Sequence, residues 1–130
     1  MAGRNELPPL SDVQLEVMTE IWKQASASVA DVSSVLKDRR GVSRNTVHTL
    51  IVRLEEKGWL RRQENADGVR YSATVSQTST QQQCVRRLID TVFDGSPEGL
   101  VLTLLNDKTV SSNDADRIRK LIAKAKRSES

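Results

Sequence analysis

With 130 residues, 37% of them apolar and only 3% aromatic, the chain has room for one compact domain or for a small domain with an accessory element. A core of that size leaves burial against a second chain as a natural supplement. Twenty Lys and Arg against seventeen Asp and Glu give +3, which permits a nucleic-acid partner without requiring one, and the lone Cys84 excludes an internal disulfide and a cysteine-rich metal site.

Residues 1–9 are polar, end in Pro8-Pro9 and read as a flexible arm. Ser11 followed by Gln14 is a capping-box pattern, and Leu15, Met18, Ile21 and Trp22 recur at helical spacing behind it, predicting a helix over Asp12 to Gln24. Ser28 and Asp31 repeat the capping signal, and Val32, Val35 and Leu36 mark a second helix ending near Asp38, with Arg39 to Val42 as the turn. Ser43 caps a third helix whose apolar stripe is Val47, Leu50, Ile51 and Leu54, stopped by Lys57-Gly58. The period then changes to two. Leu60 to Glu64 and Val69 to Ala73 predict two strands around the turn Asn65 to Gly68, the second with Val69, Tyr71 and Ala73 buried and Arg70 and Ser72 on a basic outer face.

Ser76 to Gln83 is rich in Ser, Thr and Gln but leads into Val85, Leu88, Ile89, Val92 and Phe93 at helical spacing, so one helix is predicted from about Gln77 to Phe93 with its first turns solvated. Pro97 fits the first turn of the next helix, where Leu100, Val101, Leu102, Leu104 and Leu105 are apolar nearly all round and call for burial on every side. Ser111 to Asp114 starts a last helix with Ala115, Ile118, Leu121, Ile122 and Ala125 on one face, followed by a basic tail. The expected fold is mainly α with a small β-hairpin wing: a winged helix-turn-helix over residues 10–75, then a helical element over 76–130.

Positive charge is concentrated between Arg39 and Arg62, where seven basic residues face only Glu55 and Glu56, a net of +5. The third helix has the features of a recognition helix. Arg44, Asn45, His48 and Thr49 on its exposed N-terminal turns carry the donors, acceptors and methyl that match base edges and phosphates, and Ser43 with the first amides makes a phosphate-binding end. Arg61, Arg62 and Arg70 on the hairpin suit a wing lying along the backbone or minor groove. The competing reading is a winged-helix protein-interaction module without specific DNA binding, which a steep salt dependence of DNA affinity would exclude.

Catalysis finds no support. The only histidine, His48, has no local Cys or carboxylate set around it, and there is no Gly-rich phosphate loop, no GxSxG and no paired carboxylates. No enzyme activity, catalytic residue, metal or cofactor is expected. Met1 to Leu10 lacks the apolar segment of a secretory signal and no stretch approaches the ~20 apolar residues of a membrane span, so a cytoplasmic protein without membrane insertion is expected.

Leu10 to Met18, Ile21-Trp22 and above all Thr46 to Gly58, with its T-V-x-T-L-x-x-R-L-x-x-K-G spacing, resemble the penicillinase-repressor family (BlaI/MecI/CopY), and Val92 to Ser96 and the leucine-rich helix after it extend the likeness over nearly the whole chain. The resemblance implies a bacterial transcriptional repressor that binds double-stranded, inverted-repeat operator DNA as a homodimer. It places DNA contacts on Ser43, Arg44, Asn45, Thr46, His48, Thr49 and Arg53 and on a wing from Arg61 to Tyr71. It places the dimer interface on Val85, Leu88, Ile89, Val92, Phe93, Leu100 to Leu105, Ile118, Leu121 and Ile122, making residues 76–130 a dimerisation domain. A sensor protease is a further partner that the resemblance raises. The β-lactam-responsive members are cut at an Asn-Phe bond, whereas the matching place here is Thr103-Leu104. The copper-responsive branch carries a C-terminal CxCxxxxCxC cluster, absent here because Cys84 stands alone.

Overall fold

Local signals start and stop the helices of this computed structural model, which describes residues 7–129, with side chains to residue 125. Ser11 accepts from the Gln14 amide at 3.2 Å while Gln14 Oε1 accepts from the Ser11 amide at 2.9 Å, and this capping box opens α1 (Asp12–Gln24). The same reciprocal pair between Ser28 and Asp31 opens α2 (Val29–Arg40). That helix runs two residues past the predicted end. Gly41, at φ 68°, supplies the left-handed cap, so Arg39 and Arg40 belong to the last helical turn and not to the connection. Ser43 caps α3 (Arg44–Glu56), and β1 (Leu60–Asn65) and β2 (Gly68–Ala73) form an antiparallel hairpin with Leu60 opposite Ala73 and Asn65 opposite Gly68. Then come α4 (Gln77–Val92), α5 (Pro97–Leu105) and α6 (Ser112–Glu129).

The chain divides into two compact units between Cys84 and Val85, inside α4. In the first, the helical stripes converge. Val17, Met18 and Ile21 of α1, Val32 and Leu36 of α2 and Val47, Ile51 and Leu54 of α3 are fully buried, joined by Ala27, Trp59, Leu60 and Tyr71. Each such side chain contributes roughly 1.5–3 kcal/mol by leaving water. Two residues of the expected arm, Leu7 and Pro8, make contacts with the first unit. Leu7 packs on this core and the Pro8 carbonyl accepts from Trp59 Nε1 at 2.9 Å; residues 1–6 of the predicted arm lie outside the described residues. Gly58 sits at φ 92°, where a side chain is strained, and a Cβ there would also crowd Leu7 Cδ2 at 3.2 Å. The start of α4 is solvated as expected except at Thr80, which is buried with its hydroxyl satisfied by the Ser76 carbonyl.

In the second unit, Asp94 and Gly95 at positive φ stop α4, and Ser96 accepts from the Gly99 amide to cap α5 behind Pro97. Phe93 covers Gly99, whose missing Cβ would lie 3.3 Å from its ring. Ser111 accepts from the Asp114 amide at the start of α6. The burial predicted on every side of α5 is not met by the single chain. No α5 residue is fully buried, and Leu102 and Leu104 are exposed. The predicted basic tail lies beyond the described side chains. Among the described residues no helix is long and apolar enough to cross a membrane.

Candidate nucleic-acid interface

Because Val47, Ile51 and Leu54 turn one face of α3 into the core, the opposite face must carry Arg44, Asn45, Thr46, His48, Thr49 and Arg53, and all six are exposed. Ser43 accepts from the Thr46 amide at 3.2 Å and its hydroxyl meets Thr46 Oγ1 at 2.9 Å, so Thr46 completes the cap. The amides of Arg44 and Asn45 have no intrahelical acceptor, at the helix end where the sequence leads one to expect a phosphate. Thr49 Oγ1 donates to the Asn45 carbonyl at 3.0 Å, which leaves its methyl and lone pairs as the groups it can present. Among the described residues the side chains of Arg44, Asn45, His48 and Arg53 have no polar partner.

Two shallow concavities flank this helix. One is lined by Asn45, Thr46, Thr49, Leu50 and Arg53; the other, of about 490 Å³, lies between the start of α2 (Ser28 to Ala30), Arg44, Asn45 and His48 of α3, and Asp67 and Val69 of the hairpin. Asn45 alone lines both. The contribution of the α2 start and of Asp67 escapes a sequence reading, because Ser28 signals only a cap and Asp67 only a turn, and nothing local brings either to α3.

The hairpin arginines are placed unequally. Arg61 is exposed and without a partner among the described residues, whereas Arg62 is held by Glu64 at 2.6 Å, a hydrogen bond and charge that push its pKa above the ordinary arginine value. Arg70 departs from the predicted basic outer face. It is half-buried, donates from Nε to Ser26 Oγ at 3.0 Å and from Nη2 to the Ser26 carbonyl at 2.8 Å, and lies 3.4 Å from Asp31. Of the basic cluster, Arg39 also pairs with Glu20 and Arg40 with Glu16, so among the described residues the cations of that cluster left without a partner are Arg44, Arg53, Lys57 and Arg61.

The Ser28 amide, the Ser28 hydroxyl and Arg70 hold the Asp31 carboxyl below the usual aspartate range, against the opposing effect of burial. A carboxyl that titrates lower in the folded chain stabilises it fully above its unfolded value, and that contribution is lost as the pH falls below about 4 through the folded value. Asp31→Asn is therefore expected to flatten the acid limb of stability against pH, followed by urea unfolding. An acid limb like that of the wild type would show that these contacts do not hold the carboxylate.

The residues expected to form a dimer interface separate into three groups. Ile89 is already buried in the single chain; Phe93, Leu100, Val101, Leu105 and Ile118 are half-buried; Val85, Leu88, Val92, Leu102, Leu104, Leu121 and Ile122 are exposed, Val92 and Leu121 to 65% each. Thr103 and Leu104, at the place of the family's cleavage bond, are exposed near the end of α5. Cys84 is exposed on α4, and among the described residues no three His, Cys, Asp or Glu side chains gather as a metal site would require.

A family model described as penicillinase repressor matches residues 10–124. The methicillin resistance regulatory protein MecI of Mammaliicoccus sciuri is 26% identical over 92% of this chain and 98% of its own length. The penicillinase repressor of Bacillus licheniformis is 23% identical over 93% and 94%. Among solved structures, monomeric Bacillus licheniformis BlaI in complex with the blaP half-operator matches with a TM-score of 0.52 at 30% identity, over 56% of this chain and 89% of that one. A MarR variant from E. coli complexed with operator DNA matches with a TM-score of 0.53 at 21% identity, over 89% and 75%, a likeness of fold. The fold is a winged helix-turn-helix, the curated relatives named above are regulators and not enzymes, and with a family model covering almost its full length the chain belongs to the penicillinase repressor family.

Proposed function

We propose that this repressor binds an inverted-repeat operator in double-stranded DNA as a homodimer, acting in the cytoplasm where bacterial DNA lies. The observation that carries the reading is the exposed face of α3. Asn45 lines the concavities on both sides of the helix, Arg44 and Arg53 line one each without a partner among the described residues, and Arg61 is likewise unpartnered on the hairpin. Arg44, Asn45, His48 and Thr49 meet base edges, Ser43 and the first amides of α3 meet a phosphate, and Arg53 and Arg61 follow the backbone. Thr46 acts through the cap. Arg62 reaches DNA only by giving up Glu64. The relatives support the reading, since BlaI was solved on a half-operator.

Dimerisation has its own support. Val85, Leu88 and Val92 share one face of α4 and are exposed, as are Leu102, Leu104, Leu121 and Ile122, apolar side chains that a second chain would take out of water. A twofold contact covers the same patch on both chains and sets two recognition helices on two half-sites.

The test is a titration against an inverted-repeat duplex and a scrambled one at two salt concentrations. The expected result is tighter binding to the repeat, saturation at two chains per duplex, and a steep salt dependence. If Arg53 and Arg61 each neutralise one phosphate, the log–log slope is about −1.8 per chain. Equal, salt-insensitive binding to both duplexes, including duplexes recovered by selection from random DNA, would overturn the reading in favour of a protein-interaction module.

A further inference from the structure

The hairpin of a winged domain is useful to DNA only at one pitch against the recognition helix, and a two-stranded ribbon has little rigidity of its own. Here its outer edge is fastened to the body of the first unit. Ala27, in the link between α1 and α2, exchanges two backbone hydrogen bonds with Tyr71, at 2.9 and 2.8 Å. Beside that bridge the Arg70 guanidinium spans from β2 to Ser26, through both its hydroxyl and its carbonyl, and to the Asp31 carboxylate in the first turn of α2. Asp31 is itself fixed by the Ser28 amide at 3.0 Å. The wall of the larger concavity that comes from α2 (Ser28 to Ala30) and the wall that comes from the hairpin (Asp67 and Val69) are thus tied together by residues next to both.

Resting on the DNA-binding reading above, we propose that Arg70 is a positioning residue that sets the pitch of the wing, and with it the width of the groove between hairpin and α3, and does not contact phosphate itself. A planar fork with donors at fixed angles suits this task, because it bonds Ser26 twice and Asp31 once in a single orientation; a lysine ammonium carries the same charge but lacks the fork. The free wing cation is Arg61, two positions along β1 from the residue opposite Arg70. Its reach to the DNA backbone depends on the pitch that Arg70 holds.

The experiment measures affinity for an operator duplex, identified by selection from random DNA, for the full chain and for Arg70→Lys, Arg70→Met, Ser26→Ala, Asp31→Asn, Arg61→Ala and the double variant Arg70→Met with Arg61→Ala. Each is studied at a temperature where its circular dichroism matches the wild type. Positioning predicts that Arg70→Lys weakens binding nearly as much as Arg70→Met, by roughly five- to tenfold. It also predicts that Arg61→Ala, costly in the wild type, costs less than about twofold once Arg70 is gone. Asp31→Asn keeps an acceptor for the Ser28 amide and removes a negative charge, so electrostatics alone would tighten DNA binding; positioning predicts that it weakens. Ser26→Ala serves the same purpose should the Arg70 variants fail to fold. Wild-type affinity in Arg70→Lys, or an Arg61→Ala effect unchanged in the Arg70→Met background, would overturn the proposal while leaving the DNA reading intact. A wild-type chain that recovers no operator from selection would overturn both.

Discussion

Leu88→Asp is expected to convert the proposed dimer into a monomer of 14.5 kDa whose winged unit still folds. Leu88 lies on the exposed face of α4 between Val85 and Val92, beyond the division at Cys84, and none of the core residues of the first unit depends on it. In a twofold interface the substitution enters twice, and each carboxylate either remains ionised without a partner in an apolar contact or must take up a proton; either costs several kcal/mol. Loss of the second half-site then lowers operator affinity by a further 10²- to 10⁴-fold, on the order of what linkage of two sites provides. Sedimentation at micromolar concentration and a DNA titration check both halves of this expectation. A dimer that persists would place the interface away from this face of α4.

The second large effect concerns sequence discrimination. Asn45→Ala is expected to reduce preference for operator over random DNA by about 1–3 kcal/mol while leaving affinity for random DNA unchanged. The carboxamide offers a donor and an acceptor side by side, the pair that matches adenine in the major groove, and in the free chain nothing competes for it. Alanine suits the first turn of α3, and the backbone carbonyl that accepts from Thr49 is retained, so the helix itself is not disturbed. Equal losses on operator and random DNA would mean that Asn45 touches backbone and reads no base. Arg61→Ala provides the contrast: it should weaken both and lower the salt slope by about 0.9.

Where a signal is local, the sequence alone places it well. The starts of α1, α2 and α3 are legible because Ser11, Ser28 and Ser43 bond to amides three residues on, and the hairpin is legible because its apolar residues alternate. The exposed face of α3 follows from the period of the buried stripe. What escapes is whatever depends on distant chain. Arg70 alternates with Val69 and Tyr71 and so reads as outward-facing, yet its partner Ser26 is 44 residues away. Arg39 and Arg40 count as site charge until Glu20 and Glu16 on α1 are seen to hold them. Leu7 and Pro8 look like an arm because neither their packing nor the indole of Trp59 is written near them. For α5 the apolar composition states a need for cover but not which surface supplies it.

The two tryptophans have a practical consequence. Trp59 donates its indole N–H to Pro8 and Trp22 donates to the Val75 carbonyl at 3.0 Å, and these are the only tryptophans in the chain. Both belong to the unit that ends at Cys84, so the second unit is dark in a tryptophan emission spectrum. Melting followed by emission therefore reports the winged unit by itself, while far-ultraviolet dichroism sums the helices of both. Divergence of the two curves on dilution would give the chain's own optical readout of whether its C-terminal helices unravel when they lose their cover.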